Sequence, residues 1–150
     1  MNRFINFAQL YLRIAIGAGY VVFGLDRLGC WGSYGSKNVS WGDWSHFMAY
    51  AQKVMSFLPF SLANILAMIA TGAEIILGIL LLAGLFTRMA ALGSGILSLL
   101  FALSMAISFG IVSPLSYSVF TVSAGSFLLA TVEKFQWSID YWLQAKKPTF

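Results

Sequence analysis

The chain's 150 residues are 59% hydrophobic and only 9% charged, with a mean hydropathy of +0.82. That leaves too little polar surface to cover a soluble fold of this size, so residues 1–150 read as one small integral membrane domain. The formal charge of +4 does not indicate a nucleic-acid partner, because the nine basic residues are scattered between apolar stretches rather than gathered in a stripe.

After the basic start Met1-Asn2-Arg3, a first apolar span runs from about Phe7 to Leu25. It reads as a retained helix rather than a signal peptide, since it is long for a signal core and Gly24-Leu25-Asp26-Arg27-Leu28 is a poor cleavage site. Arg13, Gly17, Tyr20, Gly24 and Arg27 recur at steps of four and three and so share one small, polar helix face.

The segment from Gly29 to Pro59 begins with the Gly, Ser and Asn content of a loop. Asp43 then caps a predicted helix over about 44–58, with Phe47, Tyr50, Ala51, Val54 and Leu58 on one face. An amphipathic helix flanked by Trp31, Trp41 and Trp44 is expected to lie in the membrane interface.

The second span, about Leu62 to Leu85, carries a single carboxylate, Glu74, near the expected bilayer midplane. An ionised group there costs on the order of 2.5–3.5 kcal/mol, so it must be paired, hydrated or neutral. Asn64, Ala67, Thr71, Glu74 and Gly78 form one face. If the first two spans are antiparallel neighbours, Arg13 lies about 9 Å and Glu74 about 18 Å from the same membrane side, a gap an arginine can mostly cover. The pair is then a structural ion pair, unless Arg13 snorkels to the headgroups, or else it is a ligand or proton site.

Thr87-Arg88 turns the chain into a third span, about 89–110, whose Ala90, Ser94, Ser98, Ala102, Ala106 and Gly110 form a small-residue ridge suited to close helix packing. A fourth span is expected over about 117–132, with Thr121, Gly125 and Ser126 as small or polar packing positions. The tail over about 134–144 has the pattern of a short interfacial helix, with Phe135, Ile139, Trp142 and Leu143 on one side. Arg3, Arg88, Lys134, Lys146 and Lys147 outweigh Arg27, Lys37 and Lys53, which places both termini in the cytoplasm and the first loop outside. The fold class is therefore an all-α integral membrane bundle of four transmembrane helices with two interfacial helices.

Leu12-Arg13-Ile14-Ala15-Ile16-Gly17, Phe23-Gly24-Leu25-Asp26-Arg27-Leu28, and Glu74-x-x-x-Gly78 through Gly84-Leu85-Phe86-Thr87-Arg88-x-Ala90-Ala91 resemble the DoxX family of small four-helix bacterial membrane proteins. The resemblance covers about Tyr11 to Ala130 and is most specific in the second span. It implies a location in the bacterial inner (cytoplasmic) membrane and a link to redox complexes, the namesake group being associated with thiosulfate:quinone oxidoreduction. Arg13, Glu74 and Arg88 match the family's charged positions and are the candidate catalytic residues. A quinone, the cofactor so implied, is expected against Arg13, Tyr20, Thr71 and Glu74. The family's wider relatives include disulfide-handling bundles, but the lone Cys30 cannot run thiol exchange by itself and reads as an incidental thiol or a point of linkage to a partner.

A single histidine, His46, excludes a bis-histidine haem within the chain, and no cluster has the spacing of a metal site. Three function classes follow. The first is a membrane subunit of a quinone-linked oxidoreductase. The second is a non-catalytic accessory or assembly subunit whose aromatic outer loop docks another subunit or a second copy of the chain. The third, a small-solute permease, ranks last because no inverted repeat or broken helix is evident.

Overall fold

The structure, a computed structural model, describes residues 3–145, so Lys146 and Lys147 of the expected charge balance lie outside the described residues. All regular structure among those residues is helical. Helices α1 (Arg3–Arg27), α3 (Phe60–Ala83) and α4 (Thr87–Phe109) are each long and apolar enough to cross a membrane. Between and after them stand α2 (Trp44–Val54), α5 (Val112–Ser116), α6 (Val119–Ala130) and α7 (Ile139–Ala145).

The long helices bury small and polar residues and turn their large apolar side chains outward, the arrangement expected where lipid is the solvent. On α3, Ala63, Ala67, Thr71, Glu74 and Gly78 are buried, whereas Ile69, Ile76 and Ile79 are exposed. The same inversion on α1 buries Arg13, Gly17, Gly24 and Arg27, as their spacing predicts. The chain is accordingly a multi-pass membrane protein with helices in contact with the bilayer.

The register of α1 against α3 is set by two glycines. A Cβ on Gly78 would lie 2.9 Å from the Gly17 carbonyl oxygen and 2.8 Å from Val21 Cγ2, so only glycine lets the backbones approach this closely. On the ridge of α4, Ala90, Ser94, Ser98 and Ala102 are buried, while Gly110 is exposed. Its neighbour Gly95 faces Phe127 of α6 and accepts a hydrogen bond from Ser123 Oγ at 2.8 Å. A core of Ile16, Leu81, Ala90, Ala91, Leu129, Ala130 and Phe135 closes this end of the bundle.

Two expectations are revised. In place of a continuous fourth span over 117–132, α6 has 12 residues, about 18 Å of helix, preceded by the separate turn α5. Ser118 takes a left-handed conformation, φ 56°, and divides them. The tail, predicted as one helix over 134–144, is helical only from Ile139, and residues 131–138 form a strap instead. Phe135 and Ser138 of that strap are buried, so it is fastened to the bundle rather than resting on it.

Helix α2 packs its Phe47, Met48 and Ala51 onto Ala67 of α3, with Trp41, Trp44 and Met55 around them. Its far end is tied to α4, where Ser108 Oγ donates to the Val54 carbonyl at 2.6 Å. Its start is capped as the sequence predicts. Asp43 Oδ1 accepts from the His46 amide at 2.9 Å and from Ser45 Oγ at 2.7 Å, and Oδ2 meets His46 Nδ1 at 2.7 Å. The Ser45 hydroxyl first, then the His46 amide and ring, hold the Asp43 carboxyl well below the usual carboxylate range. A depressed folded-state pKa means that the cap stabilises α2 above about pH 3.9, the unfolded value, and that this is lost as pH falls further. Hydrogen-exchange protection of the first turn of α2 should therefore drop in acid for the wild type, and in D43A it should be low and insensitive to pH through that range. An Asp43→Ala variant that kept the wild-type acid response would assign it elsewhere.

Candidate functional site

Thr71 and Glu74 sit one turn apart on the α3 face that meets α1, and both are buried. α1 ends opposite them in Asp26-Arg27, where the arginine folds back along the helix toward the bundle interior. Arg27 Nη1 donates to Thr71 Oγ1 at 2.9 Å and lies 2.5 Å from Glu74 Oε2, and Nη2 donates to Glu74 Oε1 at 3.3 Å. The Glu74 side chain is 6% exposed and that of Arg27 10%. In a low-dielectric interior such a pair is held by mutual attraction, and neither charge is tolerated without the other.

The cover over this pair is also specific. The Arg27 guanidinium lies over the Phe47 ring of α2, with Cζ 4.2 Å from the centroid. A cation–π contact contributes about 0.5–2 kcal/mol depending on desolvation, and here it fastens α2 over the charges. Asp26 Oδ2 accepts the Ser40 and Trp41 amides at 3.0 and 2.8 Å, which draws the end of the loop back onto α1. Gly24, one turn before Arg27, packs against Ile75.

The expected pairing of Arg13 with Glu74 does not form. Arg13 lies at the other end of α3, its Nη1 beside the Gly84 that ends the helix, and Nη2 donates to the Trp137 carbonyl at 2.7 Å. The reason is register: with Gly17 against Gly78, Arg13 falls a turn beyond the contact on the side away from Glu74, whereas Arg27 falls within reach of it. Tyr20 stands between the two ends, its hydroxyl donating to the Ser94 carbonyl at 2.9 Å and 2.6 Å from Ser98 Oγ. Its Cβ lies against Gly78, one turn along α3 from Glu74. Arg88 is exposed and donates to the Val132 carbonyl at 3.3 Å.

Of the predicted site residues, then, Thr71 and Glu74 come together, Tyr20 stands against Gly78 one turn farther along α3, and Arg13 and Arg88 belong to the opposite end. Arg27 completes the cluster, although as a sequence feature it reads as a topological charge at a span end. Its signal is present in the shared face with Gly17, Tyr20 and Gly24. Asp26 and Phe47 carry no comparable signal, because both act on groups distant in sequence. Neither the cleft along the strap nor the cleft between the start of α1 and the end of α6 is lined by Arg27, Thr71 or Glu74.

Arranged this way, the cluster can neutralise a buried carboxylate and lock two long helices to the covering α2. No curated protein and no solved structure matches the chain. The family model described as DoxX matches residues 8–109, a stretch that takes in most of α1, the covering loop, α2, α3 and α4 with all of the cluster's groups, and the chain belongs to the DoxX family.

Proposed function

We propose that the chain is a non-catalytic subunit of a quinone-linked oxidoreductase or related redox complex in the bacterial inner membrane. The family supports the redox association, and the closed Arg27–Glu74–Thr71 cluster carries the choice of a structural role. Its charges are neutralised by the chain's own groups and it opens onto neither cleft, so electrons pass through cofactors that a partner supplies. On this reading α5 and α6 together complete a fourth crossing, and α2 and α7 sit at the two interfaces of a single domain. Both termini are cytoplasmic, and residues 28–58 face outward, where Trp31 and Tyr34 are exposed for a partner subunit.

Native mass spectrometry of the gently solubilised protein, with organic extraction of the same sample, tests this. A partner carrying a redox cofactor, or a stoichiometric quinone in the assembly, is the expected result. A bare oligomer, or an assembly with no redox cofactor anywhere, overturns it.

A second reading has Glu74 and Tyr20 moving protons for quinone chemistry. It is favoured by the Tyr20 hydroxyl bridging to Ser98, on a side chain that lies against Gly78, one turn along α3 from Glu74. Tyr20→Phe separates the two: an assembled complex that loses turnover supports the proton role, and unchanged turnover supports the structural one.

A further inference from the structure

The end of the bundle opposite Glu74 holds a second buried charge, Arg13, that the Arg27–Glu74–Thr71 cluster does not use. Arg13 is 2% exposed, and its Nε and Nη1 have no hydrogen-bond partner. Among the described residues no carboxylate reaches ion-pair distance of it, the Trp137 carbonyl being its one hydrogen-bond acceptor. Asp140 is tied to the same corner of the bundle, its amide donating to the carbonyl of Gly84, the residue beside which Arg13 Nη1 lies.

Asp140 itself occupies an anion position. The start of α4 has no side-chain cap of its own, and the Asp140 carboxylate accepts the Phe86 amide at 2.9 Å through Oδ1 and the Thr87 amide at 2.7 Å through Oδ2. The first turn of a helix of 23 residues presents unpaired amides and the positive end of its dipole, which together favour an anion. Gly84 makes the juxtaposition possible. It is left-handed, φ 68°, its carbonyl accepts the Asp140 amide at 2.9 Å, and a Cβ there would strike Ser138 and Arg13 Nη1.

The strap that delivers Asp140 is held under strain. Trp137 has a left-handed backbone, φ 54°, which is unfavourable for a bulky residue. The helix that follows, α7, buries none of its side chains. Beside the strap runs an open cleft of about 620 Å³, lined by Ala83, Trp137, Ile139, Tyr141 and Trp142 among others. Such an aromatic and apolar lining next to a cationic anion site suits an amphiphile with a phosphate head.

We propose that the first turn of α4 and Arg13 form a binding site for a phosphate group, which Asp140 fills as an internal stand-in and yields to a phosphate-bearing ligand. A phosphodiester carries the same single negative charge as the carboxylate it replaces, so the exchange leaves the charge around Arg13 unchanged. It offers more acceptor oxygens than the carboxylate, enough to satisfy the Phe86 and Thr87 amides and the idle Arg13 N–H groups together. The cleft supports a phospholipid head as the source, and a free phosphate shares the same chemistry.

The experiment titrates the full chain in neutral detergent with phosphatidylglycerol, phosphatidylcholine or inorganic phosphate and counts retained ligand by native mass spectrometry. Asp140→Asn removes the competing charge, and phosphatidylglycerol retention should rise about tenfold, within the usual range for coupled sites. Arg13→Gln in that background should cancel the gain, and Arg13→Lys should keep most of it. Displacement by inorganic phosphate identifies a site for phosphate itself, and a gain confined to the lipid identifies a headgroup site. Both outcomes support the proposal. Equal retention in wild type and Asp140→Asn overturns it. Hydrogen exchange on the wild type gives a readout independent of variant folding: saturating ligand should deprotect the Asp140 amide, and an amide that stays fully protected when ligand is bound also overturns the proposal.

Discussion

Glu74→Gln is expected to destabilise the folded bundle by about 3–5 kcal/mol, the loss typical when one member of a buried ion pair is removed. The cause is less the missing attraction than the charge left behind. Arg27 is held between Thr71, Glu74 and the Phe47 ring, with 10% of its side chain exposed. Glutamine can accept one of its hydrogen bonds but cannot neutralise it. At about 2–4 °C per kcal/mol for a chain of this size, unfolding in detergent should move down by on the order of 10 °C. The first symptom is expected locally, as faster hydrogen exchange in α2 and in residues 38–43, because releasing Arg27 also releases the cover. An isolated loss of activity with unchanged exchange and melting would point instead to a chemical role for Glu74.

Gly78→Leu should also destabilise the bundle, by a different route. Even the Cβ of a substituted residue would lie 2.9 Å from the Gly17 carbonyl oxygen, which is backbone and cannot rotate away, and 3.0 Å from Tyr20 Cβ. The helices must separate, at a cost of about 1–3 kcal/mol or more for an overpacked site. Separation here also has a reporter. Tyr20 would be pulled from Ser94 and Ser98, so the buried hydroxyl loses both partners and its fluorescence environment becomes wetter. Gly72→Ala is the control: a Cβ there meets nothing within 4 Å, and its melting temperature should stay close to wild type.

Much of this arrangement is legible in the sequence because membrane helices declare their buried faces by what is small or polar. The steps from Arg13 to Arg27 and from Ala67 to Gly78 mark the two faces that meet. They do not fix which arginine meets Glu74. That choice depends on the relative sliding of α1 and α3, and the sliding is decided by Gly17 against Gly78, a contact that periodicity alone cannot align.

The strap is less legible still. Its aromatic and acidic residues have the composition of an interfacial helix, yet Phe135 and Ser138 are drawn inward and Asp140 caps a helix that starts 53 residues earlier in the chain. Local pattern carries no information on a cap supplied from that distance. The same holds for Asp26 and the Ser40 and Trp41 amides, although Asp43 and the start of its own helix, being neighbours, are readable; that helix, expected to run to about 58, ends at Val54.

The pairing of Glu74 with Arg27 is the claim on which the site rests, and a double-mutant cycle on thermal unfolding tests it most directly. Arg27→Leu and Glu74→Leu should each lower the melting temperature, and the double variant should recover a substantial part of the loss, a coupling of about 1–3 kcal/mol. The matching cycle with Arg13→Leu in place of Arg27→Leu should show no coupling, the two losses simply adding. Coupling between Glu74 and Arg13, with none between Glu74 and Arg27, would contradict the account.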